Sequence, residues 1–312
     1  MGVQNKRLTI IIPHYNSFDL LQKLIDSIPV KEEIQVILVD DNSTEQAEEV
    51  KKYAENHGIE FYQNDRKEHS AGRCRNIGLK HAVGEWILFA DADDFFTDGF
   101  YDIITPYFEK EYDMVYFAPT SIKLSDGTKA DRHISAYNLI HSFCASPTKE
   151  NEVQLRYQWG MPISRIIRGS MILDNHILFD ETRVANDVMF SMQCAVCSKR
   201  IMASEEIIYC ITKQSGTLNM LVNREDVRTR LKVAISKYQY LKKHVDKDTW
   251  RLLDLRGDRY IKIITKYRKD ARDIIWAWCY MLSKGVRPCI SRKVTIQNIV
   301  PKIVGKVFKK NG

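Results

Sequence analysis

Three carboxylates, Asp91, Asp93 and Asp94, lie within four residues directly after the largely apolar run Glu85–Ala90. Such a run is typical of a buried strand, and open α/β sheets bind ligands at the carboxyl ends of their strands. An extended backbone would point Asp91 and Asp93 the same way, where they repel unless a cation lies between them. Oxygen ligands favour a hard divalent ion, Mg2+ or Mn2+. The alternative is an acidic turn at the start of a helix.

Polar clusters also follow two other predicted strands. Pro13–Asn16 comes after the apolar run Leu8–Ile12, and Asp40–Ser43 comes after Gln35–Val39. Because the carboxyl ends of parallel strands share one edge of a sheet, the three clusters are expected to meet there. Helix caps alone do not explain three such clusters, so the pattern favours a ligand site.

Strands alternate with helices through the first part of the chain. The predicted strands are Leu8–Ile12, Gln35–Val39, Ile59–Tyr62, Glu85–Ala90 and Asp113–Ala118. The predicted helices are Phe18–Ile28, Glu45–Asn56 with a Ser or Thr cap, and Ala71–Ala82. This order predicts a doubly wound α/β domain with a mostly parallel sheet flanked by helices, over at least residues 6–120.

The pattern changes after the fifth strand. Ser121–His133 is predicted to form a hairpin around Asp126-Gly127, residues 149–187 mix helix and loop, and Glu206–Thr212 is a predicted strand. From Arg224 to Ser283 the sequence is helical and amphipathic. We therefore expect a catalytic domain over residues 1–223 and a helical C-terminal region over residues 224–312.

The net charge of +7 is concentrated at the C-terminus. Residues 284–312 hold eight Lys or Arg and no Asp or Glu, so the preceding chain carries 39 basic against 40 acidic residues. This balance argues against a nucleic-acid-binding body. Val294–Lys310 places apolar residues at helical spacing with lysines between them. It predicts either a helix on an anionic membrane surface or a helix docked on the body, and both readings stay open.

The composition predicts a cytoplasmic protein. The seven cysteines are odd in number and scattered, which fits reduced thiols better than a disulfide framework. No signal peptide is recognisable at the N-terminus. The longest later apolar stretch, Ile274–Leu282, has half the length needed to cross a bilayer. We expect a soluble protein, or a peripheral one on the cytoplasmic face of the membrane.

Five segments in order resemble the inverting, family-2 glycosyltransferases with a GT-A fold, of the type that makes bacterial cell-surface polysaccharides. They are Leu8–Asn16, Val36–Thr44, Gly72–Gly78, Gly84–Asp94 and Phe179–Phe190. The resemblance covers residues 6 to about 220. It implies a metal-dependent, hexosyl-transferring enzyme that moves a sugar from a nucleoside-diphosphate sugar to a hydroxyl of a saccharide or lipid-linked saccharide acceptor. A uridine diphosphate sugar is the favoured donor.

The resemblance also implies roles for individual residues. The nucleotide sugar would be held by Pro13, Tyr15, Asp40, Asp41, Arg75, Asn76, Asp91 and Ala92. Asp93 would bind the Mn2+ or Mg2+ ion that bridges the diphosphate oxygens, and Lys213–Ser215 would belong to a loop closing over the diphosphate. An aromatic face suits base stacking, and a carboxylate suits a uracil N–H.

The resemblance places the general base at Asp187, which would deprotonate the acceptor hydroxyl. Asp187 could also cap the helix that starts at Val188. The family commonly has Glu before this Asp, whereas this chain has Asn186. Trp159 and Tyr157 could stack on an acceptor sugar or belong to the core.

Two other functions compete with glycosyl transfer. A sugar-nucleotide pyrophosphorylase needs a glycine-rich phosphate loop after its first strand, and Pro13–Asn16 does not provide one. A non-catalytic sugar-nucleotide-binding module would keep the fold without the chemistry. Retention of Asp91, Asp93 and Asp187 together argues against that module.

Overall fold

The structure is a computed structural model that describes residues 6–213, 223–255, 257–267 and 270–287. The chain divides into two compact units, Met1–Ser215 and Gly216–Gly312. The two units are described separately below.

Within residues 6–213, the first unit combines one sheet with flanking helices. The strands are β1 (Leu8–His14), β2 (Ile34–Asp40), β3 (Glu60–Gln63), β4 (Trp86–Phe89), β5 (Phe95–Phe96), β6 (Met114–Lys123), β7 (Arg165–Arg168) and β8 (Ile201–Lys213). The helices are α1 (Phe18–Asp26), α2 (Ala47–Asn56), α3 (Ala71–His81), α4 (Phe100–Ile104), α5 (Ile134–Ala145), α6 (Lys149–Gln158), α7 (Gly169–Asp174) and α8 (Val188–Cys197), with a 3-10 turn at Thr105–Tyr107.

The strand order of the sheet is β3-β2-β1-β4-β7-β6-β8-β5. The neighbours β3-β2, β2-β1, β1-β4 and β6-β8 are parallel, whereas β7 is antiparallel to both β4 and β6, and β5 is antiparallel to β8. The predicted α/β architecture with a mostly parallel sheet is confirmed. Strand β7 was not predicted, because only two apolar residues lie between its terminal arginines.

The central strands are buried on both faces. Every residue of β1 and β4 is buried. Ile10, Ile12 and Leu88 pack into one core layer, and Ile11 and Phe89 pack into another. Since both faces are apolar, polar side chains of these strands collect at their ends, which is where the site lies.

Two local predictions need correction. Helix α2 begins after Gln46, whose φ is 52°, and no side chain caps it. Ser43 instead donates a hydrogen bond to Asp40, and the Thr44 hydroxyl accepts one from Asn16. The predicted hairpin around Asp126-Gly127 is present but shorter than expected: the end of β6 pairs with residues 128–130, where Lys123 N–H donates to the Thr128 carbonyl and Ala130 N–H donates to the Ser121 carbonyl.

In the second unit, the predicted helical character is confirmed. Its described helices are α9 (Arg224–His244), α10 (Lys247–Leu253), α11 (Asp258–Tyr267) and α12 (Ala271–Ser283). Val227, Leu231 and Ile235 of α9 pack with Ile264 and Met281. The predicted tail helix, Val294–Lys310, lies outside the described residues. None of the helices in the described ranges is both long and apolar enough to cross a membrane.

Candidate functional site

Asp40 and His14 form a buried pair where β2 and β1 end. The register places them opposite each other, and His14 Nδ1 donates to Asp40 Oδ1 over 2.9 Å. His14 Nε2 accepts from the Ser17 N–H over 3.3 Å, so both ring nitrogens are engaged. Burial pushes the pKa of Asp40 upwards, but hydrogen bonds from His14 and Ser43 outweigh it and lower this pKa. The ionised Asp40 carboxylate therefore connects the segments that follow β1 and β2 at the edge of the site.

Asp41 and Tyr15 stand next to this anchor. Asp41 is 6% exposed and accepts a hydrogen bond from Asn64 Nδ2 at Oδ1 over 2.6 Å. Its backbone carbonyl accepts from His69 Nδ1. The Tyr15 ring is 45% exposed, and its centroid lies 4.5 Å from that of His69. A fixed carboxylate beside an open aromatic face suits a planar base that carries an N–H donor.

Asn64 and His69 were not selected from the sequence. Both follow β3, which is parallel to β2 at the edge of the sheet. A sequence signal for these two residues existed, because a polar segment follows the third predicted strand. The rule that polar residues after parallel strands meet at one edge applies to it as well.

Arg75 connects two segments of the site. Its side chain is 5% exposed and donates from Nη2 to Asp91 Oδ1 over 2.5 Å. Nη1 donates to Asn186 Oδ1 over 3.1 Å, and the guanidinium lies 5.3 Å from the Phe179 ring centroid. One side chain therefore ties the carboxylates after β4 to the loop that carries Asp187.

Helix α3 holds that loop closely. A Cβ at Gly72 would lie 2.1 Å from the Asp180 carbonyl oxygen, so only glycine permits the approach. Asn76 Nδ2 donates to the Phe179 carbonyl and Oδ1 accepts from the Phe179 N–H. The helix starts at Ser70, whose hydroxyl accepts from the Arg73 N–H. The Asn76 amide is thus engaged with the loop, and its predicted contact with the nucleotide sugar stays a prediction.

The acidic cluster after β4 forms a turn. The Asp94 N–H donates to the Asp91 carbonyl over 3.0 Å, so the extended backbone expected from the sequence is wrong. Burial, and next the Asp91 charge, raise the pKa of Asp93. Burial, followed by the charges of Asp93 and Asp91, also raises the pKa of Asp94. The Asp91, Asp93 and Asp94 carboxylates therefore lie close enough for their charges to interact, although the backbone forms a turn. Ala92, between them, is buried in the core, and its contact with the donor stays a prediction.

Residues from distant segments support this turn. Thr212 donates from its N–H to Asp94 Oδ1 and from its hydroxyl to the Asp93 carbonyl. Arg132 Nη1 donates to the Thr212 carbonyl over 2.6 Å, and the Arg132 charge counteracts the rise in the pKa of Asp93 and Asp94. No sequence pattern indicated Arg132, because it lies in a loop with no periodicity.

The acidic cluster fits a divalent cation that is shared with a ligand. In the described ranges, no three His, Cys, Asp or Glu side chains converge into a complete metal site. Mg2+ usually binds to one or two carboxylates together with substrate phosphates. Asp91 and Asp93 supply such a pair. Burial and then the Asp91 charge raise the pKa of Asp93, and a bound cation would favour the charged form of both carboxylates.

Asp187 precedes the first turn of α8 without capping it. It occupies the N-cap position, and no capping hydrogen bond from its side chain is formed in the described structure. Burial raises the pKa of Asp187, while Arg75 and Arg165 oppose the rise and the Asp91 charge adds to it. The carboxylate is thus placed beside the Arg75 bridge with its oxygens not committed to the helix.

The structure also describes three further residues that the sequence analysis singled out, namely Tyr157, Trp159 and Lys213. Trp159 is 1% exposed and packs edge-on against Tyr116 at 5.2 Å, and Tyr157 is also buried. Stacking of either ring on an acceptor sugar is therefore wrong, and the core reading is correct. Lys213 forms an ion pair with Asp131 over 2.7 Å. Gln214 and Ser215 lie outside the described residues.

Comparison with solved structures supports the fold. The structure of Staphylococcus aureus TarS residues 1–349 in complex with UDP-GlcNAc aligns with a TM-score of 0.66 and 20% identity, covering 89% of this chain and 81% of that chain. The mannosyltransferase PcManGT from Pyrobaculum calidifontis, in complex with GDP-Man and Mn2+, aligns with a TM-score of 0.51 and 14% identity over 99% of this chain and 81% of that one. Both likenesses concern the GT-A fold.

Curated relatives resemble part of this chain at the sequence level. The poly(ribitol-phosphate) beta-N-acetylglucosaminyltransferase TarS of Staphylococcus aureus strain Mu50 is 26% identical over 218 residues, which are 67% of this chain and 36% of the relative. The poly(ribitol-phosphate) beta-glucosyltransferase of Bacillus spizizenii strain W23 is 26% identical over 223 residues, 67% of this chain and 33% of the relative. The chain thus spans about a third of the length of the curated relatives it matches.

The sequence profile described as "Glycosyl transferase family 2" matches residues 9–180. The match covers more than half of the chain and runs from β1 to β7, with Arg75 and the acidic turn within it. The resemblance derived from the motifs is confirmed, and the chain belongs to glycosyl transferase family 2.

Proposed function

We propose that this protein transfers a sugar from a UDP-sugar to a hydroxyl group of a cell-surface polymer, with inversion at the anomeric carbon. The observation that carries the proposal is the Arg75 bridge between Asp91 and Asn186. It joins the acidic turn, where a diphosphate would lie, to the residue beside Asp187. Donor groups and a candidate base therefore line one site.

The donor would be bound mainly at the ends of β1, β2 and β4. Tyr15 offers its exposed ring to the base, and Asp41 Oδ2 can accept a uracil N–H because Oδ1 already accepts from Asn64. Asp93 would hold the divalent ion, and Asp91 would lie near the ribose and sugar. When bound, such an ion neutralises charge on the departing diphosphate. Mn2+ and Mg2+ both suit the oxygen ligands.

Asp187 would accept the proton of the acceptor hydroxyl as that oxygen attacks the anomeric carbon from the face opposite the diphosphate. A carboxylate whose pKa is raised by burial is a stronger base than an ordinary aspartate. The charges of Arg75 and Arg165 oppose this rise in the pKa of Asp187. Attack from the opposite face inverts the configuration.

The names of the relatives suggest which substrates to test first. TarS and the Bacillus relative are named as poly(ribitol-phosphate) transferases of N-acetylglucosamine and glucose, respectively. UDP-GlcNAc and UDP-glucose are accordingly the first donors, and poly(ribitol phosphate) is the first acceptor. Saccharide and lipid-linked saccharide acceptors form the second set.

The test is a transfer assay with each donor, with and without acceptor, in Mn2+, Mg2+ or chelator. We expect metal-dependent release of UDP that acceptor stimulates, and proton NMR should show a β-linked product from an α-linked donor. Retained configuration would contradict Asp187 as base. Release of sugar 1-phosphate would indicate a pyrophosphorylase, and donor binding without turnover under every condition would indicate a binding module.

A further inference from the structure

Arg165, the first residue of β7, is a fully buried cation. Its side chain is 0% exposed and stands beside Tyr116 of β6 in the strand register. Nη2 donates to Ser191 Oγ over 2.9 Å, and Nη1 approaches Met114 Sδ at 3.7 Å. Nε has no hydrogen-bond partner, and no carboxylate of the described residues pairs with the guanidinium. The positive charge is therefore not balanced by an adjacent anion.

Packing alone does not account for this arginine. An unpaired buried charge is costly, and replacing buried ionic groups with apolar side chains is often neutral or stabilising. Its surroundings offer few acceptors: the guanidinium donates to Ser191 Oγ, while Tyr116 OH and Trp159 Nε1 are buried without a hydrogen-bond partner. A hydrophobic side chain would suit this environment better. The charge is thus expected to act on a group outside its own contacts.

That group is Asp187. Ser191, which accepts from Arg165, lies in the first turn of α8, and its N–H donates to the Asp187 carbonyl over 3.0 Å. The charged groups that act on the Asp187 carboxylate are Arg75 from α3, Asp91 after β4 and Arg165 from β7.

The other helices packed on α8 bring different charges. Helix α7 carries Asp174, which is exposed. Helix α6 carries Arg156, which is bound at the C-terminal end of α8, together with its partner Glu152. Of the two arginines that act on Asp187, Arg165 is therefore the one that is hydrogen-bonded to α8.

We propose that Arg165 is a positioning residue for the general base: it fixes the first turn of α8 through Ser191 and places a buried positive charge beside the turn that carries Asp187. The inference rests on the proposed role of Asp187 as base. Arg75 also acts on the Asp187 carboxylate, and more strongly than Arg165. Its hydrogen bonds, however, go to Asp91 and Asn186, which lie outside α8, so it does not fix the first turn of that helix.

Arg156 provides a matched control. It is also buried, and it donates from Nη1 to the Ala195 and Ser198 carbonyls at the opposite end of α8. It therefore supports the same helix at the end that lies away from Asp187. A purely structural effect on α8 should appear in variants of either arginine, whereas an effect on the charge of Asp187 should appear only at Arg165.

The experiment compares Arg165→Met, Arg165→Gln, Arg165→Lys and Arg156→Gln by measuring kcat against pH at saturating donor and acceptor. Gln keeps a donor for Ser191 without the charge, and Lys keeps the charge. We expect the acidic limb of kcat to move up by about one pH unit in the Met and Gln variants, since losing a nearby cation raises a carboxyl pKa. At pH values below the limb, this equals about a tenfold loss of turnover.

The Lys variant and Arg156→Gln should keep the limb of the unchanged protein, although Arg156→Gln should melt at a lower temperature. The KM for donor should change little in the uncharged Arg165 variants. A uniform loss of kcat without a shift of the limb, or an equal shift in Arg156→Gln, would overturn the inference. If neither uncharged variant folds, Arg165 is a structural residue and the inference fails.

Asp187→Asn is measured in parallel to separate the two proposals. It should lower turnover by roughly two to four orders of magnitude with donor affinity largely intact, which is the usual effect of losing a positioned base. An unchanged turnover would contradict the proposed function itself. A large loss at Asp187 together with unshifted Arg165 variants would contradict only the role of Arg165.

Discussion

The side chain at position 186 determines how the charge of Arg75 is shared. Asn186 accepts from Arg75 at Oδ1 and donates from Nδ2 to the Thr182 carbonyl. The Glu that is common in the family could accept from Arg75 but could not donate to Thr182. It would also add a negative charge that competes with Asp91 for the guanidinium. Asn186 thus leaves more of the positive charge of Arg75 available to Asp91 and Asp187.

Asn186→Asp tests this sharing with almost no change in shape. We expect kcat/KM for the donor to fall about tenfold, because the new carboxylate draws Arg75 from Asp91 and loses the bond to Thr182. Initial rates at varied donor concentration provide the measurement. Asn138→Asp makes the same charge change on the exposed face of α5 and should have no effect. Equal activity of both variants would show that Asn186 has no such role.

Asp93→Ala tests the proposed metal site. Removing this carboxylate should abolish metal-dependent transfer and weaken nucleotide binding, since Asp91 alone cannot hold the ion in place. Transfer rates across a Mn2+ titration and calorimetric UDP binding measure the two effects. Asp98→Ala alters an exposed aspartate on the same segment and serves as the control. If Asp93→Ala kept near-normal turnover and a chelator abolished that turnover, the metal would bind at a site that does not need Asp93.

At the scale of elements, the site depends on how closely α3 meets the loop before α8. Gly72 permits this approach, and the Asn76 side chain forms hydrogen bonds with both the N–H and the carbonyl of Phe179. The distance between α3 and the loop decides whether Arg75 reaches Asn186. Backbone packing therefore controls the geometry of a contact made by side chains.

Gly72→Ala should displace the Asp180 carbonyl, which lies 2.1 Å from the position of the added Cβ. We expect at least a tenfold loss of kcat and a lower melting temperature, because small displacements of catalytic groups are costly. Gly160→Ala is the control, since its Cβ would meet no atom within 4 Å. If Gly72→Ala retained full kcat, the close approach would not be needed for catalysis.

The sequence was sufficient to predict the elements that carry a strong periodic signal. Leu8–Ile12 and Gln35–Val39 are apolar enough that tertiary context does not change them, so the polar ends after β1 and β2 were placed correctly. Strand β7 was missed, since two apolar residues between arginines give no period. The inward position of Trp159 and the turn at Asp91–Asp94 depend on distant residues such as Tyr116 and Thr212.

The candidate site was only partly predictable for the same reason. The aspartates were recognisable because polar clusters follow three predicted strands whose carboxyl ends share one edge of the sheet. The positions of Arg132 and Arg165, however, depend on contacts with Thr212 and Ser191 that no local spacing encodes. The tertiary fold brings such residues to the site, so they can be identified only once the spatial neighbours of the site are known.

At the scale of the whole molecule, the net positive charge comes from residues 284–312, most of which lie beyond the described residues. A basic amphipathic segment can bind anionic headgroups through lysines while its apolar side enters the interface. We propose that this segment places the enzyme at a membrane surface where lipid-linked acceptors are found. The alternative is a segment that docks on the protein.

Co-sedimentation with anionic liposomes distinguishes these two possibilities. The full chain should sediment at low salt and be partly released at high salt, because screening weakens attraction to headgroups. Deletion of residues 292–312 should abolish sedimentation while transfer to a soluble acceptor continues. Full-length protein that stays in the supernatant at low salt would contradict membrane binding.

The place of β7 in the sheet also has a consequence for the order in which the protein forms. All pairings among β1, β2, β3 and β4 lie within residues 8–89, whereas the strand that joins them to β6 begins at Arg165. Contacts that are close in sequence form sooner than distant ones, and N-terminal segments emerge first during synthesis. We expect nascent chains to protect β1–β4 from hydrogen exchange before β7, so the nucleotide-binding half would take shape before the half that carries the base. Simultaneous protection of both halves would contradict this order.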